Sequence, residues 1–252
     1  MIKMIMHGCN GAMGQVITGL VAEEKNITIV AGIDPSERKN DLFPVFPSLE
    51  ECDIPADVIV DFASVKAVDG LLNYSREKKI PVVVCTTGLS EEQIKKVEEV
   101  SNHVAVLRSA NMSLGVNLLM KLVKEAAEVL AIAGFDIEIL EKHHNKKVDA
   151  PSGTALALAD SINEAMDQEY HYVYDRSQLR KARDKKEIGI QAVRGGTIVG
   201  EHDVIFAGKD EVVTFNHTAY SKTIFAQGAV SAAKYLAGKG PGLYTMKDVI
   251  ES

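Results

Sequence analysis

The sequence predicts an α/β protein with a doubly wound parallel sheet and an inserted α+β segment that forms a mixed sheet. Three observations predict this architecture. Apolar strands alternate with helices of about 10 to 20 residues in the first half of the chain. The second half has strands separated by glycine-containing breaks, a pattern typical of antiparallel pairing. A last helix resembles those of the first half and is expected to pack onto the first sheet.

The first half contains five predicted strands and four predicted helices. Each strand is apolar and rich in β-branched residues, as expected for buried strands. The strands are "IKMIM", "ITIVAGID", "ADVIVDFA", "IPVVVCTTG" and "HVAVLRS". The helices are "MGQVITGLVAEE", residues 65–79, "EEQIKKVEEVS" and residues 114–133. Ser90 precedes the third helix with two glutamates behind it, which predicts an N-cap at Ser90.

The second half predicts a smaller domain, residues 113–219, inserted into a first domain of residues 1–112 and 220–252. It begins with a strand, "FDIEILEKHH", and a helix, "SGTALALADSINEAM". The segments "IGIQAVRGG", "TIVGEHDVIFAG" and "EVVTFNHTAY" follow as an antiparallel pattern. Between them, the charged run "RSQLRKARDKKE" predicts a solvated loop. The helix that returns to the first domain is "TIFAQGAVSAAKYLAG".

Composition and charge exclude several classes of protein. With 252 residues, 46% hydrophobic and 25% charged, the chain is typical of a soluble globular protein. A net charge of −7 argues against nucleic acid or an anionic membrane as the main partner. No apolar run reaches the roughly 20 residues of a membrane helix, and the N-terminus does not resemble a signal peptide. The three cysteines lack metal-ligand spacing, which favours the reducing cytosol and no bound metal.

A glycine-rich turn between the first strand and the first helix predicts a dinucleotide site. Gly8, Gly11 and Gly14 form G-x-x-G-x-x-G, one position different from the usual fingerprint. Glycine lets the backbone approach a pyrophosphate at the helix N-terminus. Asp34 follows the second strand, where a carboxylate binds the adenine-ribose hydroxyls and favours NADH. Arg38 and Lys39 partly offset its charge, so NADPH is also expected to bind. The alternative is a tight turn that binds no ligand.

The stretch "EKHHNKKVDAPSGTA" predicts an anion site with a proton donor. Ser152 is expected to cap a helix whose first turn contains Gly153 and Thr154, and free N–H groups there suit a carboxylate. Lys146 or Lys147 adds a positive charge. A histidine of the adjacent pair can donate a proton near neutral pH. The alternatives are a partial metal site, solvated lysines and an ordinary helix cap.

This stretch closely resembles the signature of the 4-hydroxy-tetrahydrodipicolinate reductases, also called dihydrodipicolinate reductases. The resemblance extends along the chain through "GCNGAMG", "CTTG", "SANMSLGVN", "RGGTIVGEHDV" and "FAQGAVSAAKYL". It implies that His143 is the proton donor and Lys147 a catalytic or binding lysine. It also implies that His144, Gly153 and Thr154 bind the substrate. The residues implied to bind the cofactor are Gly8, Cys9, Asn10, Gly11, Ala12, Met13, Asp34, Cys85, Thr86, Thr87, Ser109, Ala110, Asn111 and Met112.

The resemblance further implies the fold, the reaction and the assembly. A Rossmann-like domain, residues 1–112 and 220–252, would bind NADH or NADPH. Residues 113–219 would form the substrate-binding and oligomerisation domain of a cytoplasmic homotetramer. The reaction would be NAD(P)H-dependent reduction of 4-hydroxy-tetrahydrodipicolinate to tetrahydrodipicolinate in diaminopimelate and lysine biosynthesis. The family's substrate is a cyclic dicarboxylate, which agrees with the anion site predicted above.

Three residues depart from the family's usual pattern, and two other functions are considered. Cys85 replaces a glycine, Met112 a phenylalanine and Lys222 an arginine, and a lysine cannot make a bidentate guanidinium contact. One alternative is a semialdehyde-type dehydrogenase with Cys85 as its nucleophile. The other is a nucleotide-binding redox sensor without chemistry of its own. It lacks support because no basic helix or further module is present in the sequence.

Overall fold

The computed structural model describes residues 1–36, 38–109 and 111–252. The chain divides into two compact units. The first unit contains Met1–Leu114 and Thr223–Ser252, and the second contains Gly115–Lys222. The second unit is therefore inserted between the two segments of the first. The predicted α/β class, with a parallel sheet and an inserted mixed sheet, is confirmed.

The described residues form twelve strands, seven α-helices and one short 3-10 helix. The strands are β1 (Ile2–His7), β2 (Ile27–Ile33), β3 (Val45–Phe46), β4 (Val58–Asp61), β5 (Val82–Val84), β6 (Ala105–Arg108), β7 (Asp136–His143), β8 (His171–Val173), β9 (Glu187–Arg194), β10 (Gly200–Ala207), β11 (Val212–Ala219) and β12 (Gly242–Tyr244). The helices are α1 (Ala12–Ala22), α2 (Val68–Lys78), α3 (Glu91–Ser101), α4 (Leu114–Leu130), α5 (Gly153–Ala165), α6 (Thr223–Leu236) and α7 (Met246–Ile250). The 3-10 helix, Val65–Ala67, precedes α2 directly.

The first unit is built on a seven-stranded sheet in which the described pairings are all parallel. Its strand order is β12-β6-β5-β4-β1-β2-β3. Successive residues of a strand face opposite sides of the sheet, so Met4 and Met6 belong to one core and Ile5 to the other. From β1 the chain adds β2 and β3 on one side of the sheet and then adds β4, β5 and β6 on the other side. The carboxyl ends of β1 and β4 therefore lie at the switch point, where the strand order reverses. In open parallel sheets, ligands bind at such a point.

Helix α6 returns the chain to the first unit, where it packs against β4 and β5 of the sheet, as expected from the sequence, and beside α1. Its buried face is made of small residues, among them Ala226, Gly228 and Ala229. A Cβ on Gly228 would lie 1.6 Å from the carbonyl oxygen of Met112. The helix can therefore approach the segment after β6 only because position 228 lacks a side chain.

The second unit contains a five-stranded mixed sheet in the order β11-β10-β7-β9-β8. Strand β10 pairs antiparallel with both β7 and β11. The antiparallel interpretation is wrong for β9, which runs parallel to β7 and to β8. The parallel pairing follows from the long connection, since residues 144–186 carry the chain through α5 and the edge strand β8 before β9 pairs with β7. A connection of this length permits a crossover.

One face of the second sheet is covered by helices, and the other is half-exposed. Strand β7 alternates buried and half-buried residues over its whole length. Its isoleucines, Ile137 and Ile139, share a core with apolar residues of α4 and α5. The half-exposed residues of β7 face away from these helices. This second face is mixed: Leu140, Val193 and Ile205 lie on it, and Lys142 forms ion pairs there with Glu201 and Asp203.

The charged run after β8 lacks helix and strand, but it is not simply a solvated loop. Arg183 donates hydrogen bonds to the Glu138 carboxylate, at 3.0 Å, and to the Asp136 carboxylate, at 3.2 Å. Arg176 forms ion pairs with Glu138 and Glu187. The arginines are held because Asp136 and Glu138 lie on the half-exposed face of β7. The prediction of a solvated loop is wrong for these two side chains.

Both predicted N-caps are confirmed. The Ser90 hydroxyl accepts a hydrogen bond from the N–H of Gln93 and forms a capping box with it. The Ser152 hydroxyl accepts from the N–H of Ala155 at the start of α5. Short elements were not predicted, namely β3, β8, β12 and α7. No helix among the described residues is long and apolar enough to cross a membrane.

We predict that Gly228→Ala destabilises the protein, whereas Gly19→Ala does not. Both glycines lie inside helices, where alanine is normally favoured by about 0.5–1 kcal/mol. Gly19 is exposed with nothing near its Cβ position, so Gly19→Ala should gain this amount. Gly228→Ala should lose about 1–3 kcal/mol because the new methyl group overlaps a backbone carbonyl. Urea unfolding measures both changes, and equal stability of the two variants would contradict the packing described for α6.

Candidate active site

A glycine-rich turn joins β1 to α1 in the first unit. Gly8 has φ +83°, a conformation that favours glycine, and a Cβ there would lie 2.8 Å from the carbonyl of Phe62. A Cβ on Gly14 would lie 2.3 Å from the carbonyl oxygen of Gly8. The first N–H groups of a helix have no intrahelical partner, and Gly11, the N-cap of α1, provides no side-chain cap for them. The turn therefore fits the pyrophosphate of a dinucleotide.

The other predicted residues of the turn differ in their exposure. The thiol of Cys9 is buried in the core, so only its backbone is available to a ligand. The Asn10 side chain donates hydrogen bonds to the Ser36 hydroxyl at 2.9 Å and to the Arg38 carbonyl at 3.2 Å. Ala12 and Met13 begin α1. They contribute its first backbone N–H groups.

Asp34 lies directly after β2, beside the glycine turn. One carboxylate oxygen accepts from the N–H of Asn10 at 3.1 Å, and the other accepts from the N–H of Ser36 at 3.0 Å. Burial raises the pKa of Asp34, but hydrogen bonds from Ser36 and Asn10 outweigh it and leave the pKa below its usual value. Asp34 is therefore an anion at neutral pH. Arg38 and Lys39 line an open cavity of about 400 Å³ together with Asn10.

The remaining predicted cofactor residues lie in the loops after β5 and β6. Parallel strands end at one edge of a sheet, so these loops share that edge with the glycine turn. Thr87 is exposed, and Ser109 and Asn111 are half-buried. Met112 has its side chain in the core, so its backbone alone can face a ligand. Ala110 lies outside the described residues.

A buried carboxylate connects three strand ends at this edge and was not singled out from the sequence. Asp61, at the end of β4, is fully buried and lies 2.8 Å from Nδ1 of His7, at the end of β1. It also accepts from the Thr86 hydroxyl at 2.7 Å and from the N–H of Ala63 at 3.1 Å. This network fixes the loop that contains Thr86. The sequence signal for this network was Asp61, the polar residue directly after the apolar run "VIV".

Cys85 is not placed to act as a nucleophile. Its side chain is 8% exposed and packs in the core of the first unit. Burial, and then the charge of Asp61, raise the pKa of the Cys85 thiol well above its usual value. Since the thiolate is the reactive form, the structure gives no support to the semialdehyde-dehydrogenase alternative.

In the second unit, the alternation of β7 places polar groups on the face that is otherwise apolar. Ile137 and Ile139 are buried, and the next two residues of the same phase are Glu141 and His143. Glu141 is fully buried and His143 is 9% exposed. Neighbouring strand residues point to opposite faces. His144 lies just past the strand and is half-buried, so the two adjacent histidines lie in different environments.

Glu141 is the centre of a hydrogen-bond network. Its Oε2 lies 2.7 Å from Nδ1 of His143 and accepts from Nη1 of Arg194 at 2.7 Å. Its Oε1 accepts from Nη2 of Arg194 at 2.7 Å and from the N–H of Ser152 at 3.0 Å. Burial raises the pKa of Glu141, but hydrogen bonds from Arg194, His143 and Ser152 outweigh it and lower the pKa overall. Glu141 is therefore a buried anion that connects β7, β9 and the start of α5.

His202 lies opposite Glu141 on β10 and stacks edge-on against His143, with 5.2 Å between ring centroids. Its Nε2 lies 2.9 Å from the Ser152 hydroxyl. Burial, and then the neighbouring His143, lower the pKa of His202 to about 4. His202 is therefore uncharged at neutral pH. Gly200 precedes it, and a Cβ there would lie 3.1 Å from Nε2 of His143, so glycine leaves space beside that nitrogen.

The predicted substrate residues gather around the same network. The N–H of Lys147 donates to the carbonyl of His144 at 3.1 Å, which folds the loop after β7 into a turn. Lys147 is paired through its Nζ with Asp149 at 2.9 Å. Gly153 is exposed with open space at its Cβ position, and Thr154 follows it in the first turn of α5. Because Glu141 holds Ser152, the α5 N-terminus is fixed beside His143.

Three residues of this network were not assigned a role from the sequence. Glu141 and His202 stand at positions of β7 and β10 where the alternation places buried, mostly apolar residues. A charged or polar residue at such a position is visible in the sequence. Arg194 gives no such signal, because it reaches Glu141 through the register that pairs it with His143 across β7 and β9. Among the described residues, no group of three or more His, Cys, Asp or Glu side chains could hold a metal ion.

Two family models match the chain. Residues 2–112 match the N-terminal model of dihydrodipicolinate reductase, and residues 115–250 match its C-terminal model. The 4-hydroxy-tetrahydrodipicolinate reductase of Caldanaerobacter subterraneus subsp. tengcongensis is 54% identical over 251 residues, covering 100% of this chain and 99% of that protein. The enzyme of the same name from Clostridium novyi is 49% identical over 252 residues, with the same coverage.

A solved structure has the same fold over nearly the whole chain. It is a dipicolinate-bound dihydrodipicolinate reductase from Paenisporosarcina sp. TG-14, with a TM-score of 0.82 and 26% identity. The alignment covers 97% of each chain. These similarities confirm the resemblance found in the sequence motifs, and the chain belongs to the dihydrodipicolinate reductase family.

Proposed function

We propose that this chain catalyses the NAD(P)H-dependent reduction of 4-hydroxy-tetrahydrodipicolinate to tetrahydrodipicolinate in diaminopimelate and lysine biosynthesis. The observation that carries the proposal is the pairing of His143 with Glu141 beside the N-terminus of α5. This arrangement combines a proton donor with an anion site in one unit. Relatives at 54% and 49% identity have this activity in their names.

The first unit is proposed to bind the reduced cofactor, which supplies a hydride when bound. The backbone N–H groups of the turn Gly8–Met13 hold the pyrophosphate, and Asp34 accepts hydrogen bonds from the adenine-ribose hydroxyls. The loops 85–87 and 109–112 complete the site. Asp34 favours NADH because its charge repels the 2′-phosphate of NADPH. Arg38 and Lys39 offset this repulsion enough for NADPH to bind.

The second unit is proposed to bind the two carboxylates of the substrate. The N–H groups of Gly153 and Thr154 hold one carboxylate at the positive end of α5. Lys147 exchanges its ion pair with Asp149 for a contact to substrate, and His144 lies against the ring. The Paenisporosarcina reductase supports this proposal, because its ligand dipicolinate is a cyclic dicarboxylate.

His143 is proposed to supply the proton that accompanies the hydride. Glu141 occupies Nδ1 of the ring, so Nε2 is the nitrogen that faces the substrate. The overall reaction consumes one hydride and one proton and releases one water as the 4-hydroxyl group leaves. Holding the reactants in position should supply most of the rate, and the acid should contribute about 10²–10⁴-fold.

The two domains are proposed to have separate roles. Residues 1–112 and 220–252 form the dinucleotide-binding domain, and residues 113–219 form the substrate-binding and oligomerisation domain. The half-exposed face of the second sheet is proposed to join four copies into a homotetramer. The cysteines, which are free and buried, fit the reducing cytoplasm.

We predict that His143→Gln lowers kcat by about 10²–10⁴-fold and leaves the dissociation constant for NADH unchanged, because only the acid is lost. Dihydrodipicolinate synthase, pyruvate and aspartate semialdehyde would generate substrate, and NADH absorbance would report turnover. His171→Gln is the matched control, since His171 is exposed at the start of β8 in the same unit. Wild-type turnover in His143→Gln would remove His143 from its proposed role.

We predict that Asp34→Asn shifts cofactor preference toward NADPH. The ratio of kcat/KM for NADPH to kcat/KM for NADH should rise about tenfold or more, since charges about 4 Å apart near a surface interact by roughly 1–4 kcal/mol. Asparagine retains an oxygen that can accept a backbone hydrogen bond. Asp53→Asn, at an exposed aspartate outside the turn, serves as the control. An unchanged ratio in Asp34→Asn would place the ribose elsewhere.

A further inference from the structure

Glu141 is an ionised carboxylate in the interior of the second unit. Its exposure is 0%, and it lies on the face of β7 that carries the apolar core. Burying a charge is costly unless the charge is paired and its lone pairs are used. Glu141 meets this condition, because both oxygens contact Arg194 and each has one further partner. The chain therefore maintains a buried anion at this position by directing Arg194, Ser152 and His143 to its two oxygens.

The partner at Oε2 is the ring of His143, and the chemistry of this contact is directional. An ionised carboxylate only accepts hydrogen bonds, so Nδ1 of His143 must donate. The hydrogen bond made by one ring nitrogen determines which form the imidazole adopts. Nε2 is then the nitrogen that gains or loses a proton. Gly200 keeps the space next to Nε2 free of a side chain.

We propose that Glu141 is a positioning residue, which holds the Nδ1-protonated form of His143 so that Nε2 serves the substrate, and that Arg194 limits the negative charge that His143 experiences. This inference rests on the proposed function, because it concerns the proton that His143 transfers. Glu141 acts through His143 and touches neither substrate nor cofactor.

The other charged and titratable groups around His143 leave Glu141 and Arg194 as the controlling pair. From β10, His202 faces the ring but is uncharged at neutral pH. From the loop after β7, Lys147 is paired with Asp149 in the free protein, and in the proposed complex its charge is balanced by a substrate carboxylate. From β9, Arg194 contacts both oxygens of Glu141. His144 is adjacent in the chain, and the start of α5 contributes the uncharged Ser152.

A second buried Glu–Arg pair in the same sheet provides a matched control. Glu187, at the start of β9, is 3% exposed and forms an ion pair with Arg176. It lies at the opposite end of β9 from Arg194, and its described side-chain contacts do not include a histidine ring. Glu187→Gln therefore removes a buried charge of the same kind without altering a contact to His143.

The first experiment determines the protonation of the His143 ring by ¹⁵N NMR of the full-length protein with labelled histidine. The His143→Gln spectrum assigns the signal. In the wild type, Nδ1 should carry a proton in both the charged and the neutral ring, and Nε2 should carry one only in the charged ring. In Glu141→Gln, the amide oxygen should take the Oε1 position, where Arg194 Nη2 and the Ser152 N–H both donate. The NH₂ group then takes the Oε2 position and faces Nδ1, so the neutral ring should change to the Nε2-protonated form. Glu187→Gln should match the wild type.

The second experiment measures the pH dependence of kcat in the coupled assay. Glu141→Gln should move the alkaline limb to lower pH and reduce kcat at neutral pH by about 10–10²-fold, because the anion that stabilises the acid form is lost. Arg194→Gln should move the same limb to higher pH, because Glu141 then presents its full charge to His143. Glu187→Gln should leave the limb in place even if it lowers the melting temperature.

Opposite shifts of the alkaline limb in Glu141→Gln and Arg194→Gln separate a positioning role from a structural role. A general loss of stability would not shift the limb in opposite directions in the two variants. The proposal is overturned if Nδ1 carries no proton in the neutral ring of the wild type. It is also overturned if the alkaline limb of the kcat profile does not shift in Glu141→Gln. Shifts in the same direction for both variants overturn it as well. If Glu141→Gln does not fold, the wild-type spectrum and the Arg194→Gln limb decide. Absence of reductase activity in the wild type refutes the proposed function instead, and the NMR result stands independently.

Discussion

The buried charge of Glu141 is the constraint on which the candidate substrate site depends. Strand β7 must bury alternate residues to cover the second core, and Glu141 falls on the buried phase. A desolvated carboxylate is stable only with donors at both oxygens, so Arg194, Ser152 and His143 converge on it. A single charge thereby fixes the end of β9, the start of α5 and the orientation of one imidazole ring.

The first unit reaches its geometry in a different way, through the absence of side chains. Gly8 and Gly14 let the turn after β1 fold against neighbouring backbone, and Gly228 lets α6 approach the segment after β6. The loops at the carboxyl edge of the parallel sheet are further tied together by the buried Asp61. The result is an edge with open backbone N–H groups and an anionic Asp34 beside them, which are the features that dinucleotides require.

The sequence predicts most of the fold because its strong periodic segments are long. Strands β3, β8 and β12 have two or three residues each, and they exist through pairing that no local pattern reports. The parallel pairing of β9 was missed because alternation is the same in either direction. In the site, His143 was identified by its motif, and Glu141 was visible only as a charge at an apolar phase. Arg194 depends on cross-strand register, which a sequence without its fold does not reveal.

The buried anion Glu141 is proposed to set which ring nitrogen of His143 carries the proton. Neutron diffraction from a deuterium-exchanged crystal near neutral pH tests that claim most directly, because it locates individual deuterons. The expected result is a deuteron on the ring nitrogen of His143 that faces Glu141, with both oxygens of that glutamate bare. A deuteron bound to the carboxylate, with the facing nitrogen empty, would contradict it.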